Sequence, residues 1–305
     1  MKLERIAING VMSELQEIQK TKLVQYMEIW FTLAVFGSLS YAISTSIDKY
    51  MMDQKYKVME TSIFQCFFDA IILLVIGFLF FTLNFSLNLI ISSLILGIVS
   101  AFAWIFYFKT LSKNASQVTP FHQSLEVMLI FIASLIIFNE NANIANYLGI
   151  VLTLIGIYLV LSETSFKIPK DDKLFLLVIL LAISNVVYWL LVKKLVADVA
   201  PINLAIATYF STALILFIYQ IGTNKLQYQR KEIPKIFIAS VFGALGTLFI
   251  FSAVSLGSAS KVYPMAGLQS VFVFLIAGLF LKEKFYWHRL IGVILVFLGI
   301  FLISL

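Results

Sequence analysis

The feature that most constrains the fold of this chain is its series of ten continuous apolar runs, each long enough to cross roughly 30 Å of hydrocarbon as a helix. A backbone amide in lipid has no water to bond, so a crossing segment must be a helix or part of a closed barrel. The runs do not alternate as barrel strands do. We therefore predict an all-α membrane protein with ten transmembrane helices, at about residues 29–49, 61–82, 89–111, 117–138, 144–161, 174–195, 202–222, 233–256, 260–281 and 286–305.

Composition supports a membrane protein over a soluble domain. Hydrophobic residues make up 61% of the chain and charged residues 12%, whereas soluble domains carry roughly 25% charged residues. The net charge of +6 is spread over the loops and makes no patch for nucleic acid. The single cysteine, Cys66, lies in an apolar run and has no partner for a disulfide within the chain.

The chain repeats itself after about half of its length. Lys49 recurs as Lys193, an offset of 144 residues. A Val-x-Pro pattern occurs once in each half, as Val118 and Pro120 and as Val262 and Pro264. Each half then ends in a Glu-x8-Gly-x6-Gly pattern, formed by Glu140, Gly149 and Gly156 in the first half and by Glu283, Gly292 and Gly299 in the second. We predict four segments: a polar or amphipathic tail (1–28), a first five-helix repeat (29–161), a linker (162–173) and a second five-helix repeat (174–305).

An odd number of helices in each repeat places the second repeat upside down relative to the first. Inverted repeats are a recurring architecture of transporters that expose one site to each side of the membrane in turn. Pro120 and Pro264 occupy matched places near the starts of predicted helices 4 and 9, and matched helix breaks are typical of a transporter site. The alternative is that each proline only begins its helix, where proline is tolerated.

Two five-helix halves, each ending in an acidic turn and a Gly-x6-Gly helix, resemble the drug/metabolite transporter (DMT) superfamily, and within it the EamA-like ten-span transporters. The resemblance covers about residues 29–305. The family usually has Gly-Glu in the acidic turn, where this chain has Asn139-Glu140 and Lys282-Glu283. The resemblance implies a central cavity, peripheral fifth and tenth helices, small substrates such as amino acids, other metabolites or drugs, and both termini in the cytoplasm.

Helix 4 has the most polar stretch of any predicted span. Glu126 lies near its middle, where a charge costs at least roughly 2.5–3.5 kcal/mol and calls for an explanation. His122 is one turn earlier on the same face, beside Gln123. We interpret His122 and Glu126 as a pair that binds a proton or a substrate amine; the alternative is a protonated Glu126 that bonds a neighbouring helix. Asp69 in helix 2 is a further candidate for proton coupling.

Aromatic and amide side chains complete the predicted cavity. Aromatic rings attract cations, so aromatic walls suit apolar or cationic substrates. The residues are Tyr41, Trp104, Tyr107, Tyr188, Trp189 and Tyr263, with Asn185 and Gln269. By contrast, Asp48 and Lys49 are predicted to be boundary residues, and Lys109 and Lys261 to reach the membrane interface.

The Gly pairs put two small residues on one helix face, which predicts close helix packing. Glu140 and Glu283 are expected to cap or brace the turn before the last helix of each repeat. A role in coupling is the less favoured interpretation of both acids.

These patterns predict a secondary active transporter for a small metabolite, amino acid or drug-like solute, working as an exporter by proton coupling or exchange. No Walker A pattern accompanies the repeats, and no metal site or cofactor is expected. The alternatives are an intramembrane enzyme, for which no nucleophile is placed beside His122, and a sensor or assembly factor on the same frame. Partners are then a small solute and the bilayer. A monomer suffices, although the Gly faces could also support a dimer.

The location expected for such a transporter is the plasma (inner) membrane. Residues 1–28 lack the apolar core of a cleavable signal. The distribution of the 22 Lys and Arg residues favours both termini outside, in conflict with the resemblance, whose cytoplasmic termini we adopt.

Overall fold

The computed structural model describes residues 29–161, 172–223, 232–280 and 287–304, without the side chains of residues 112–121 and a few at helix ends. Every regular element in these residues is helical. The tail (1–28), most of the linker (162–173) and Glu283 lie outside them. The helices are α1 (Ile29–Asp53), α2 (Val58–Phe80), α3 (Leu87–Ile137), α4 (Ile144–Leu161), α5 (Asp172–Leu195), α6 (Pro201–Thr223), α7 (Ile233–Leu256), α8 (Ala259–Val262), α9 (Gly267–Phe280) and α10 (Trp287–Ser304).

The helices form an integral, multi-pass membrane protein. Seven described segments are long and apolar enough to cross a membrane, and three shorter apolar helices lie at His122–Ile137, Ile144–Val160 and Trp287–Ile303. Large apolar side chains such as Phe78, Phe80 and Trp287 are more than two-thirds exposed. Such exposure would be unfavourable in water and suits contact with lipid.

Predicted helices 3 and 4 both belong to α3, whose residues are helical throughout. The loop expected between them at residues 112–116 was therefore a wrong prediction. The chain nevertheless turns back between Leu111 and His122. Ser100 and Ile130 would be about 45 Å apart along a straight helix, yet both line one small cavity. The two parts of α3, Leu87–Leu111 and His122–Ile137, therefore both border that cavity.

The helix that carries Pro264 is interrupted. Four residues of α-helix (α8) are followed by a 3-10 turn at Tyr263–Ala266, and α9 begins at Gly267. Proline has no amide hydrogen and cannot continue the hydrogen-bond pattern of an α-helix. The matched Pro120 falls among the residues whose side chains are not described, so its helix break stays a prediction.

The two Gly-x6-Gly faces pack against each other. A Cβ atom added to Gly149 would lie 2.6 Å from the carbonyl oxygen of Gly299, and one added to Gly156 would lie 2.7 Å from that of Gly292. Only glycine allows α4 and α10 to approach this closely. The pairs run in opposite order, so the helices are antiparallel, and the predicted packing role of these glycines is confirmed.

Glu140 braces a different turn from the one predicted. Its carboxylate oxygens accept hydrogen bonds from the backbone amides of Ala259 and Ser260, both at 2.7 Å. It therefore joins the turn before α4 to the start of α8 in the other repeat, and not to the last helix of its own repeat. An acidic side chain is favourable there because helix N-termini carry free amides and partial positive charge.

Lys193 braces the same turn from α5. Its Nζ atom donates to the carbonyl oxygens of Val254 at 2.8 Å and Gly257 at 2.7 Å, at the end of α7. The end of α7 and the start of α8 are thus held by side chains of opposite charge. Asn139, before Glu140, has φ 50°. That left-handed conformation favours glycine and is tolerated by asparagine. Asn139 can therefore form the tight turn in which the family usually has glycine before the glutamate.

Candidate functional site

A cavity of about 230 Å³ lies between the two halves of the chain. Its wall is built from α1, α2, both parts of α3, α5, α6, α7 and the segment from α8 to α9. The volume corresponds to roughly eight water molecules at about 30 Å³ each. It therefore suits a solute smaller than the ligands of typical drug-sized pockets, which measure about 300–1,000 Å³.

All of the sequence-predicted contact residues line this cavity. They come from α1, α2, both parts of α3, α5, the 3-10 turn and α9, and are brought together only by the fold: Tyr41, Asp69, Trp104, Tyr107, His122, Gln123, Glu126, Asn185, Tyr188, Trp189, Tyr263 and Gln269. Pro264 is not part of the wall. Lys109 is exposed at its end of the membrane segment, in keeping with the interfacial position expected for it.

His122, Glu126 and Asn185 form one hydrogen-bonded group. Glu126 Oε2 lies 3.1 Å from His122 Nε2 and accepts a hydrogen bond of 2.9 Å from Asn185 Nδ2. Asn185 Nδ2 also lies 3.4 Å from His122 Nε2. His122 and Glu126 share a helix face in α3, as predicted, whereas Asn185 comes from α5 in the other repeat. The group can hold a proton or accept an N–H of a bound amine.

Two further polar contacts cross between the repeats. Ser270 donates to Gln123 Oε1, and Gln269 Nε2 donates to Thr45 Oγ1 at 2.9 Å. Ser270 occupies the place in the second repeat that Glu126 occupies in the first. The two halves of the cavity are therefore matched in position and different in charge.

Aromatic side chains form much of the remaining wall. The Trp189 ring packs on Tyr263 with centroids 5.3 Å apart, and the Tyr263 hydroxyl donates to the Trp189 carbonyl at 2.6 Å. Trp104 and Tyr107 meet edge to face at 5.9 Å. Hydrogen bonds and ring contacts hold these side chains in place, so the wall is shaped in advance of binding.

A hydroxyl chain fixes another part of the wall. Tyr41 and Tyr209 both contact the Thr247 hydroxyl, at 2.9 and 2.8 Å. Thr247 in turn donates to the carbonyl of Gly243, one turn earlier in α7. The chain links α1, α6 and α7 at the centre of the molecule.

An acidic cluster at the cavity wall differs from the sequence prediction. Asp48, predicted to be a boundary residue, is 2% exposed and lines the cavity. The prediction was wrong because helix 1 was expected to end at residue 49, whereas α1 continues to Asp53. Tyr107 donates to Asp48 Oδ2 at 3.2 Å. Asp69 is also fully buried, and its Oδ1 atom and Ser44 Oγ both lie next to Gly243.

The ionisable side chains of the wall are mainly acidic. Asp48, Asp69 and Glu126 are its acidic members, and no Lys or Arg occurs among the described residues that line it. All three acids belong to the first repeat. Aromatic faces next to carboxylates form a setting that attracts cations.

The profile of the EamA-like transporter family matches residues 28–162 and 173–305, which together cover most of the chain. An uncharacterized transporter of Archaeoglobus fulgidus is 32% identical over 121 residues, which cover 37% of this chain and 41% of that protein. An uncharacterized protein of Methanocaldococcus jannaschii is 29% identical over 82 residues, 27% of this chain and 60% of that protein. The matched regions thus span about half the length of these relatives.

A solved crystal structure of a protein superposes with a TM-score of 0.72, covering 92% of this chain and 96% of that one. The two sequences are 15% identical. This likeness shows a shared fold and nothing further.

Proposed function

Because the chain belongs to the EamA-like transporter family, we propose that it is a secondary active transporter that moves a small solute through the cavity by alternating access. Counting the three shorter apolar helices as crossings gives ten crossings, five in each repeat. The antiparallel Gly faces of α4 and α10 support an inverted relation between the repeats. The observation that carries the proposal is one cavity whose wall is shared between both repeats.

The favoured substrate is a small solute with a cationic amine. The cavity combines acidic side chains with aromatic walls and has no Lys or Arg among its described lining residues. An anionic solute would meet three acidic side chains with no described Lys or Arg to compensate them, which is unfavourable at low dielectric. The volume favours metabolites of amino-acid size over larger drugs.

The proposed roles follow from position. Glu126, held by Asn185 and His122, receives the substrate amine or a proton, so that one displaces the other. Displacement of a proton by substrate on one side, and the reverse on the other, gives export by proton coupling or exchange. The aromatic and amide wall residues set the shape of the site.

The test is transport by the full chain in proteoliposomes. Amines of amino-acid size are screened by thermal stabilisation, since a ligand that binds the folded state raises the Tm, and the hits are assayed for counterflow. We expect Glu126→Gln to lower pH-driven flux about tenfold or more without a large fall in Tm. Glu232→Gln, the same change outside the cavity, is the control. Stabilising solutes that show no counterflow, or turnover of a lipid or peptide instead, would count against a transporter.

A further inference from the structure

We propose that Ser44, Asp48, Gln65 and Asp69 form a binding site for Na⁺, distinct from the His122–Glu126–Asn185 group. The site lies where α1 and α2 face each other. Ser44 and Asp48 are one turn apart on α1, and Gln65 and Asp69 are one turn apart on α2, so each helix presents two oxygen-bearing side chains on one face.

Four buried acceptor oxygens in this cluster have no hydrogen-bond donor among the described residues: Asp48 Oδ1, Gln65 Oε1, Asp69 Oδ1 and Asp69 Oδ2. The three side chains that carry them are at most 2% exposed. A buried polar group without a partner is costly, and native structures seldom leave several together. A bound cation would satisfy these oxygens together.

The number and type of these oxygens favour a metal cation over a proton. A single proton can join only two of the four oxygens, and satisfying all four with protons would require both carboxyl groups to be protonated at once. A hard cation can contact several carboxylate, amide and hydroxyl oxygens at once. Ca²⁺ takes six to eight oxygen ligands and Mg²⁺ retains several waters, so a site of four or five protein oxygens in a membrane interior suits a singly charged ion.

Gly243 in α7 forms a third side of the proposed site, beside α1 and α2, and leaves space in which the oxygens can converge. A Cβ atom on Gly243 in α7 would lie 3.2 Å from Asp69 Oδ1 and 3.4 Å from Ser44 Oγ. Both oxygens therefore surround one small space that a side chain would narrow. Gln65 Nε2 reaches Ser44 Oγ at 3.5 Å, and the Gln65 carbonyl accepts from Ser240 at 3.2 Å. These contacts hold α1 and α2 of the first repeat against α7 of the second.

Bound Na⁺ would affect the two repeats together, because its ligands are on α1 and α2 and its neighbouring wall is on α7. In a transporter that works by alternating access, an ion in this place is coupled to the rearrangement of the repeats. That coupling role rests on the function proposed above. The binding itself does not.

The experiment measures thermal unfolding of the purified full chain against NaCl, with choline chloride keeping the ionic strength constant. We expect a saturable rise in Tm with Na⁺, a much weaker one with K⁺, and apparent affinities for Na⁺ reduced about tenfold or more in Asp48→Asn and Asp69→Asn. Asp53→Asn, an exposed acid on the same helix, is the matched control and should respond as the natural protein does.

Gly243→Ala tests the geometry without a change of charge. We expect it to weaken the Na⁺ response severalfold, whereas Gly222→Ala, where a Cβ would meet nothing within 4 Å, should leave it unchanged. If a variant melts too early for comparison, binding of ²²Na⁺ to the folded protein at low temperature replaces the Tm measurement. Glu126→Gln should keep the Na⁺ response, because its site is separate.

Three results would overturn the assignment. They are the absence of a Na⁺-specific response in the natural protein, an equal response in Asp69→Asn, and stabilisation by Ca²⁺ or Mg²⁺ in place of Na⁺. Uptake of protons by the cluster with no dependence on Na⁺ would likewise replace the metal ion by a proton. These are equilibrium measurements without a solute, so their failure leaves the counterflow test of transport untouched.

Discussion

The contact between Glu140 and the start of α8 allows a quantitative prediction. Glu140→Ala removes both 2.7 Å hydrogen bonds from the amides of Ala259 and Ser260. Hydrogen bonds to a charged group contribute roughly 1.5–3 kcal/mol each when buried. Glu140 is partly exposed, and water can replace it at the freed amides, so we expect a total loss of about 1–3 kcal/mol. Glu140→Gln keeps one neutral acceptor oxygen and should lose about half as much.

Thermal unfolding in detergent at a fixed scan rate measures this loss. In a chain of this size, 1 kcal/mol corresponds to a Tm shift of roughly 2–4 °C, so Glu140→Ala should lower the Tm by about 2–12 °C. Asp198→Asn is the control, because it neutralises an exposed acid in the turn after α5. The reasoning fails if the Tm of Glu140→Ala equals that of the control, or if Glu140→Gln lowers the Tm as much as Glu140→Ala does.

Three further substitutions test other parts of the frame. Gly156→Ala places a Cβ 2.7 Å from backbone atoms of α10; the Tm should fall by several degrees, against no change in Gly222→Ala, and equal melting of the two would contradict close packing. Lys193→Met removes two hydrogen bonds from the end of α7, and its loss of Tm should not add to that of Glu140→Ala, because both brace one turn; full additivity would show independent contacts. Thr247→Val leaves two tyrosine hydroxyls without their shared partner, for which we expect a loss of about 1–3 kcal/mol, measured as a lower Tm; an unchanged Tm would show that the hydroxyl chain carries no stability.

The sequence made the cavity partly predictable, because a polar residue near the middle of an apolar run must face other protein groups or a cavity. Glu126 was found in this way. Asp48 was not, because the polar residues that follow it concealed one further turn of α1. The prediction of which residues form the cavity wall was thus limited by the predicted helix ends, which sequence patterns give only to within a few residues.

Sequence patterns could not identify contacts between residues that are far apart in the chain. The spacing of Gly149 and Gly156 predicted a face for close packing, and the structure adds that its partner is the equivalent face of α10. Glu140 was expected to act locally, yet its amide partners are 119 and 120 residues away. A local pattern cannot distinguish an acid that caps its own turn from one that caps a distant helix, because both need the same exposed carboxylate.

The distribution of charge between the repeats bears on how one cavity could serve both an ion and a solute. The first repeat carries Asp48, Asp69 and Glu126, and at an offset of 144 residues the second has Val192, Ala213 and Ser270. Among the described lining residues, all acidic groups therefore belong to one half, while the opposing half offers amide, hydroxyl and aromatic contacts. If the halves move relative to each other, the carboxyl groups stay together and the neutral wall changes its position against them. In the proposed mechanism, a cation bound to the acidic half would sense this movement through the second repeat, whereas side chains of both repeats shape the wall around the solute.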